Sequence, residues 1–461
     1  MENVKENKMG SQPVGSLLIT MSLPIMISML VQALYNVVDS IFVAKISEDA
    51  LTAVSLAFPV QNLMIAIGAG TGVGINALLS KSLGEKNIER ANQAANNGIF
   101  LIIPEYIIFL VFGLFFTNVF YRGQTSDAVI LGYGREYLSV ICLFSMGLFA
   151  QMTFEKLLQA TGKTVFSMYI QGLGAIVNII LDPCFIFGLG FFPKLGVQGA
   201  ALATVIGQCT AAVLGLILNI KFNKEITINP KQYSPKISVI KRIYAVGLPS
   251  IIMQSIGSVM TFGFNKILIG FSKTAVAVFG VYFKLQSFIF MPVFGLNNGL
   301  IPIMAFNYGA SKKSRIMGTM KYAFIYAASI MTVGMLVMQL FPGQLLGFFE
   351  ASKKMLEIGV PALRIICLHF VIAAFSIILS STMQSLGHGI YAMIMSFIRQ
   401  LVVLLPAAYL LSKTGNINNV WWSFVIAECA SLTVGIISFS KVKRTQIDTL
   451  EDISQTVIQE A

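Results

Sequence analysis

Charge is scarce in this sequence: Asp, Glu, Lys and Arg together make up 11% of 461 residues, while 56% are hydrophobic. With a mean hydropathy of +0.78, too few polar side chains exist to cover a soluble globule, and a water-soluble domain is excluded. Histidine is almost missing as well. His369 and His388 are the only two, and they are isolated from one another. No nucleophile, base or metal constellation stands outside the apolar runs, so neither an enzyme nor a cofactor is expected. The five cysteines, Cys142, Cys184, Cys209, Cys367 and Cys429, fall inside apolar runs at spacings that match no zinc motif. They read as packing residues rather than a disulfide framework or a metal site. Also absent is the alternation of polar and apolar residues that marks barrel strands. Helices are then the only spanning structure left that satisfies its own backbone. A signal peptide is not expected: Met1 to Gln12 is polar, and the run after it is too long for a signal core and lacks a small-residue cleavage site.

What the chain does have is apolar runs of about 20 residues, the length that crosses a hydrocarbon core of about 30 Å. They predict about twelve spans, near 13–44, 50–80, 92–118, 129–157, 164–189, 196–220, 238–269, 275–303, 315–342, 356–383, 389–412 and 417–440. The expected fold class is therefore an all-α integral membrane protein. A net charge of +12 would suit nucleic acid on a soluble domain, but here the basic residues occupy short gaps between spans and no nucleic-acid partner is expected. Assigning alternate gaps to one side collects twenty Lys and Arg there, among them Lys81, Arg90, Lys163, Lys224, Lys313 and Lys443, against nine on the other. By the positive-inside rule the richer side is cytoplasmic, with both termini inside a plasma membrane.

The longest hydrophilic gap lies near the chain midpoint, from Lys221 to Lys236, and carries Asn229, Pro230 and Pro235. It predicts a division into a tail at 1–12, an amino-terminal lobe at 13–221, a linker at 222–236, a carboxy-terminal lobe at 237–441 and a tail at 442–461. The two halves echo each other in a fixed register. Leu23 and Pro24 match Leu248 and Pro249, and Gly74, Gly84, Gln159 and Gly162 match Gly299, Gly309, Gln384 and Gly387, every pair 225 residues apart. About six spans per half return the chain to the side where it began, so the repeats are parallel. The expected architecture is two pseudo-symmetric six-helix lobes, with a substrate site between them.

Ionisable groups inside a bilayer are costly, so each asks for an explanation. The deep ones are Asp39, Glu105, Asp182, Lys266, Lys284, Arg399 and Glu428, with Glu155 nearer a cytoplasmic end. In the first span Gln32, Asn36 and Asp39 share one helical face, and in the fifth Gln171, Asn178 and Asp182 repeat the pattern. Thr204 and Gln208 add a polar pair four residues apart in the sixth. Two polar stripes, each ending in a carboxylate, predict a shared wet site in the first half. Its oxygens suit a hard cation such as sodium, and paired carboxylates also suit a proton, because like charge and desolvation disfavour ionising both. Pro183 frees the carbonyl of Ile179 next to that site. The competing reading makes both carboxylates mere helix glue, but burying such a pair without a cation is expensive. For Lys266 snorkelling suffices. Arg399 and Glu428 suit a structural ion pair as well as a substrate contact, and Lys284 remains open between the same two roles.

Several segments together resemble the MATE family, the multidrug and toxic compound extrusion transporters, and within it the MepA-like branch. They are Gln32 to Asp39, Leu158 to Gly162, Asn178 to Pro183, Gly199 to Thr204 and Phe306 to Ala310. The resemblance implies two six-helix lobes around a central cleft, and antiport of amphipathic cationic drugs or dyes against sodium or protons. It also implies a cation site at Asp39, Asn178, Asp182 and Thr204. A monomer in the lipid bilayer is expected. A second-half cation site on the seventh span is not, because that stretch reads Phe264, Asn265, Lys266. The alternative is a flippase for an anionic lipid-linked precursor. That substrate calls for a basic cluster in the cleft, and Lys266, Lys284 and Arg399 are balanced by as many acids. A channel or purely structural membrane protein explains neither the repeat register nor the paired stripes.

Overall fold

A computed structural model describes residues 7–190, 192–229, 231–349 and 351–450. Among these residues all regular structure is helical, as the expected membrane class requires. The long helices are α1 (Val14–Ala44), α2 (Glu48–Gly84), α3 (Ile88–Arg122), α4 (Ala128–Leu143), α5 (Met146–Ala160), α6 (Thr164–Phe187), α7 (Val197–Phe222), α8 (Ile237–Leu268), α9 (Lys273–Gly309), α10 (Lys313–Leu340), α11 (Lys353–Ile366), α12 (His369–Ser385), α13 (Gly389–Ser412) and α14 (Ile417–Ile447). Ten are individually long and apolar enough to cross a membrane. The pairs α4 with α5 and α11 with α12, each bent by 46°, bring the total among the described residues to twelve if each pair is one span.

The bends were not visible as sequence signals, since neither the Phe144–Ser145 break nor the Cys367–Leu368 break contains Gly or Pro. Three of these helices also widen into π-helical turns, at Phe112–Phe116 in α3, Ile398–Leu404 in α13 and Lys443–Ile447 at the end of α14, a deviation often found at functional positions. Nine prolines sit inside these helices, Pro24 in α1 and Pro249 in α8 among them. Neighbouring helices tolerate them in a membrane by re-satisfying the freed backbone groups.

The 225-residue register recurs in local geometry. Ser47 and Ser272 cap α2 and α9 with extended backbones, each hydroxyl accepting the amide three residues on at 3.0 Å. After α2 and α9, Lys86 and Ser311 adopt φ of 56° and 54°. After α5 and α12, Gly162 and Gly387 adopt φ of 86° and 87°. Repeated caps and repeated left-handed turns mark one supersecondary plan used twice.

By compactness the chain divides into Ile27–Gly247 and a second unit made of Met1–Met26 with Leu248–Ala461. The borders of these compact units fall elsewhere than the division at 13–221 and 237–441 drawn from the sequence. The start of α1 belongs with the second half of the chain, and the start of α8 with the first. Glycine explains both placements. A Cβ on Gly295 or Gly299 of α9 would fall 2.6 Å from Met26 or 2.3 Å from Ser22, and Ser22 Oγ donates to the Leu296 carbonyl at 3.3 Å. In the other unit a Cβ on Gly74 of α2 would fall 2.1 Å from the Ile243 carbonyl oxygen of α8. Close backbone approach of this kind holds membrane helices together where lipid is as apolar as the side chains.

The expected linker is also less independent than its composition implies. Asn92 Oδ1, Asn96 Oδ1 and Asn97 Oδ1 on α3 accept the amides of Thr227, Asn229 and Lys236 at 2.7, 2.9 and 2.7 Å. Lys163 pairs with Glu225. Pro230 and parts of both expected tails, 1–6 and 451–461, lie outside the described residues. The interior of Ile27–Gly247 gathers Phe109, Tyr121, Tyr137 and Phe149. In the other unit Phe264 packs against Phe279 and Phe424 at ring distances of 4.6 and 5.1 Å.

Candidate cation-coupling site

The polar face of α6 follows from its spacing: Ser167, Gln171, Asn178 and Asp182 recur at intervals of 4, 7 and 4 residues and line one side of the helix. That side is brought against α7 by two small residues. A Cβ on Gly207 would lie 2.7 Å from the Gly174 carbonyl oxygen, so only glycine permits the approach. As a result Asn178 Nδ2 donates both to Asp182 Oδ1 and to Thr204 Oγ1, each at 3.3 Å. Asp182 is fully buried and Asn178 nearly so.

The first helix joins this cluster at two levels. Gln171 Nε2 donates to Gln32 Oε1 at 2.8 Å, and Asp39 lies within electrostatic reach of Asp182. Thus the structure brings together Gln32, Asp39, Gln171, Asn178, Asp182 and Thr204 within the unit Ile27–Gly247. Asp39 Oδ1, Asn178 Oδ1 and Asp182 Oδ2 are buried and accept no hydrogen bond from the described residues. Buried oxygens on two carboxyls and an amide, with the Thr204 hydroxyl beside Asn178, are of the kind that a hard cation takes as ligands. One proton shared by the two carboxyls would also relieve their repulsion. Among the described residues no group of three or more His, Cys, Asp and Glu could hold a transition metal.

Other expected residues fall elsewhere. Asn36 is exposed, its backbone oxygen accepting from Ser40, and Gln208 is half-buried and makes no hydrogen bond to the cluster among the described residues. Lys284 is exposed and sits 5.7 Å from the Phe349 ring. Arg399 and Glu428 do form an ion pair, at 3.4 Å, in the other unit. Lys266 is exposed, and Glu105 is buried, accepting from Thr71 Oγ1 at 2.5 Å.

Sequence reasoning passed over two tyrosines. Tyr35 and Tyr137 both lie within electrostatic reach of Asp39 and Asp182, and Gln61 Nε2 donates to Tyr137 Oη at 3.1 Å. Aromatic residues in apolar runs look like packing. In Tyr35 the only signal was its place between Gln32 and Asp39, and Tyr137 carried none.

Comparison with known proteins places the whole chain. The MatE family model matches residues 24–184 and 249–410, one copy in each half. The multidrug export protein MepA of Staphylococcus haemolyticus is 27% identical over 430 residues, covering 93% of this chain and 94% of the relative. MepA of Staphylococcus aureus is 26% identical over 442 residues, covering 95% and 96%. A solved outward-facing multidrug resistance MATE family transporter of the MOP superfamily superposes with a TM-score of 0.89 at 26% identity, covering 96% of this chain and all of that one. With the family model matched twice in register across most of its length, the chain belongs to the MatE family of multi-span membrane transporters.

Proposed function

We propose that the protein is a multidrug efflux antiporter, exporting amphipathic organic cations across the plasma membrane in exchange for sodium ions or protons bound at Asp39, Asn178, Asp182 and Thr204. Family membership and relatives named multidrug export proteins support the transport class. The single observation that carries the coupling is the set of three unpartnered buried oxygens on Asp39, Asn178 and Asp182. An intramembrane carboxylate pair without a positive charge is expensive, so the pair gains a cation or proton in at least one state of the cycle.

Coupling requires that ion and drug prefer different conformations, since a ligand of equal affinity for both shifts nothing. Cation entry from outside draws Asp39 and Asp182 together and disfavours drug binding. Release to the cytoplasm restores a drug-receptive state, and Pro24 in α1 supplies a place for that helix to bend.

The test is uptake of a fluorescent cationic dye into inside-out vesicles, driven separately by a sodium and a pH gradient. Movement under one gradient identifies the ion. Asp39→Asn reaches the membrane but does not drive uptake. Wild-type uptake by that variant would refute the assignment, and lipid scrambling without dye movement would favour a lipid flippase.

A further inference from the structure

Besides Glu105, another acid lies buried in the same unit as Asp39 and Asp182, and the coupling site as described does not use it. Glu155 on α5 is 9% exposed, and an acid at that depth calls for a function or a partner. Its contact with α6 runs through its backbone: Ser167 Oγ donates to the Glu155 carbonyl oxygen at 3.2 Å. Any residue supplies that carbonyl, so this contact does not require a carboxylate. The carboxylate itself accepts from Gln151 Nε2 at 2.9 Å. The adjacent Lys156 donates to Gln159 Oε1 at 3.0 Å, and its charge also acts on the Glu155 carboxylate.

Polar groups connect Glu155 with the coupling site. Asp182 to Ser167 is fifteen residues along α6, about 22 Å at 1.5 Å per residue, and Asn178 and Gln171 stand between them on the same face. Gln171 is bonded to Gln32 on α1. Tyr35, three residues on from Gln32, lies within electrostatic reach of Asp39, Asp182 and Glu155 at once. Glu155 is five residues from the end of α5, and the turn beyond it carries Lys163, on the side the lysine bias assigns to the cytoplasm.

We infer that Glu155 is the inner relay for the coupling cation, the carboxylate that receives the ion from Asp39 and Asp182 before it enters the cytoplasm. The inference rests on the coupling role proposed for that pair. For a proton, an O–H bond of the pair breaks and one forms on Glu155, leaving the pair one charge more negative and Glu155 neutral until it gives the proton to cytoplasmic water. For sodium the ion passes from one set of carboxyl oxygens to the next with no bond to hydrogen changed. Both routes need a carboxylate at 155, and a glutamine there ends them.

Purified protein in proteoliposomes tests this with tetraphenylphosphonium as the transported cation. Glu155→Gln is expected to bind it within about twofold of wild type and to keep gradient-free exchange of labelled for unlabelled cation. Its gradient-driven export falls at least tenfold, whereas Glu155→Asp retains a third or more. Gln151→Leu, which removes the amide donor but leaves the acid, slows gradient-driven export severalfold and leaves exchange alone. The gradient, sodium or pH, under which the defect appears names the ion relayed. Wild-type driven export by both Glu155→Gln and Gln151→Leu overturns the inference, as does an equal loss of exchange and driven export, which marks a structural role. If Asp39→Asn and Asp182→Asn leave driven export intact, the coupling site itself fails. If they abolish it while Glu155→Gln is neutral, only the relay fails.

Discussion

Replacing Arg399 by glutamine strands Glu428, while replacing Glu428 by glutamine does not strand Arg399 to the same degree. The Glu428 side chain is 3% exposed and Arg399's is 29% exposed, with 3.4 Å between Arg399 Nη1 and Glu428 Oε2. Glu428 Oε1 accepts nothing from the described residues. Removing one partner of a buried pair costs about 3–5 kcal/mol because the other charge stays behind uncompensated. Arg399→Gln therefore lies near 3 kcal/mol. In Glu428→Gln the remaining guanidinium is partly open and planar enough to find other acceptors, so about 1 kcal/mol is expected. Thermal unfolding in nanodiscs reads the difference. At about 2–4 °C per kcal/mol for a cooperative unit of roughly 240 residues, the midpoint drops by about 6–12 °C for Arg399→Gln and about 2–4 °C for Glu428→Gln. An Arg399→Met, Glu428→Leu double variant, which leaves no charge, melts above Arg399→Gln. Equal drops for the two single variants, or a larger drop for Glu428→Gln, would show that Glu428 is not the costlier buried charge, and would refute the reasoning.

Gly74→Ala places a methyl 2.1 Å from the Ile243 carbonyl oxygen, where only backbone displacement relieves it. A loss of about 1–3 kcal/mol follows, larger than for Gly299→Ala, whose nearest neighbour is the Ser22 hydroxyl at 2.3 Å; melting midpoints of the two variants check the order. Thr204→Val keeps shape but removes the oxygen that meets Asn178 Nδ2 at 3.3 Å. A lost hydrogen bond of about 1 kcal/mol makes the ion or proton concentration for half-maximal driven export rise about fivefold, with the maximal rate less affected. Beyond α14, Lys313 Nζ bonds Asp448 Oδ1 at 3.1 Å and Lys443 Nζ lies 3.8 Å from Oδ2. The Lys313 hydrogen bond first, and the charges of Lys313 and Lys443 after it, hold the Asp448 carboxyl below its ordinary range. The clasp is then complete above the ordinary Asp value of about 4 and is lost only as pH falls through the lower folded value. Pepsin cleavage of the carboxy-terminal tail should accelerate only at the acid end, and Asp448→Asn should remove that pH dependence.

Hydropathy alone determined the solvent, the class and the number of spans, because a backbone in hydrocarbon has few ways to satisfy itself. The repeat register, read from pairs such as Gly74 and Gly299, was equally legible, since an offset of 225 residues needs no folding to be seen. Helical periodicity put Gln32 with Asp39 and Asn178 with Asp182 on common faces. It could not decide that Gln171 meets Gln32, or that Gly207 brings Thr204 to Asn178, because contacts between helices depend on rotation and crossing, which side-chain spacing within one helix leaves free. The unit borders at Met26 and Gly247, the unmarked bends after Leu143 and Ile366, and the nearness of Tyr35 to three carboxylates likewise belong to tertiary packing. Each follows from what lies across the helix interface, and no local run of residues records that.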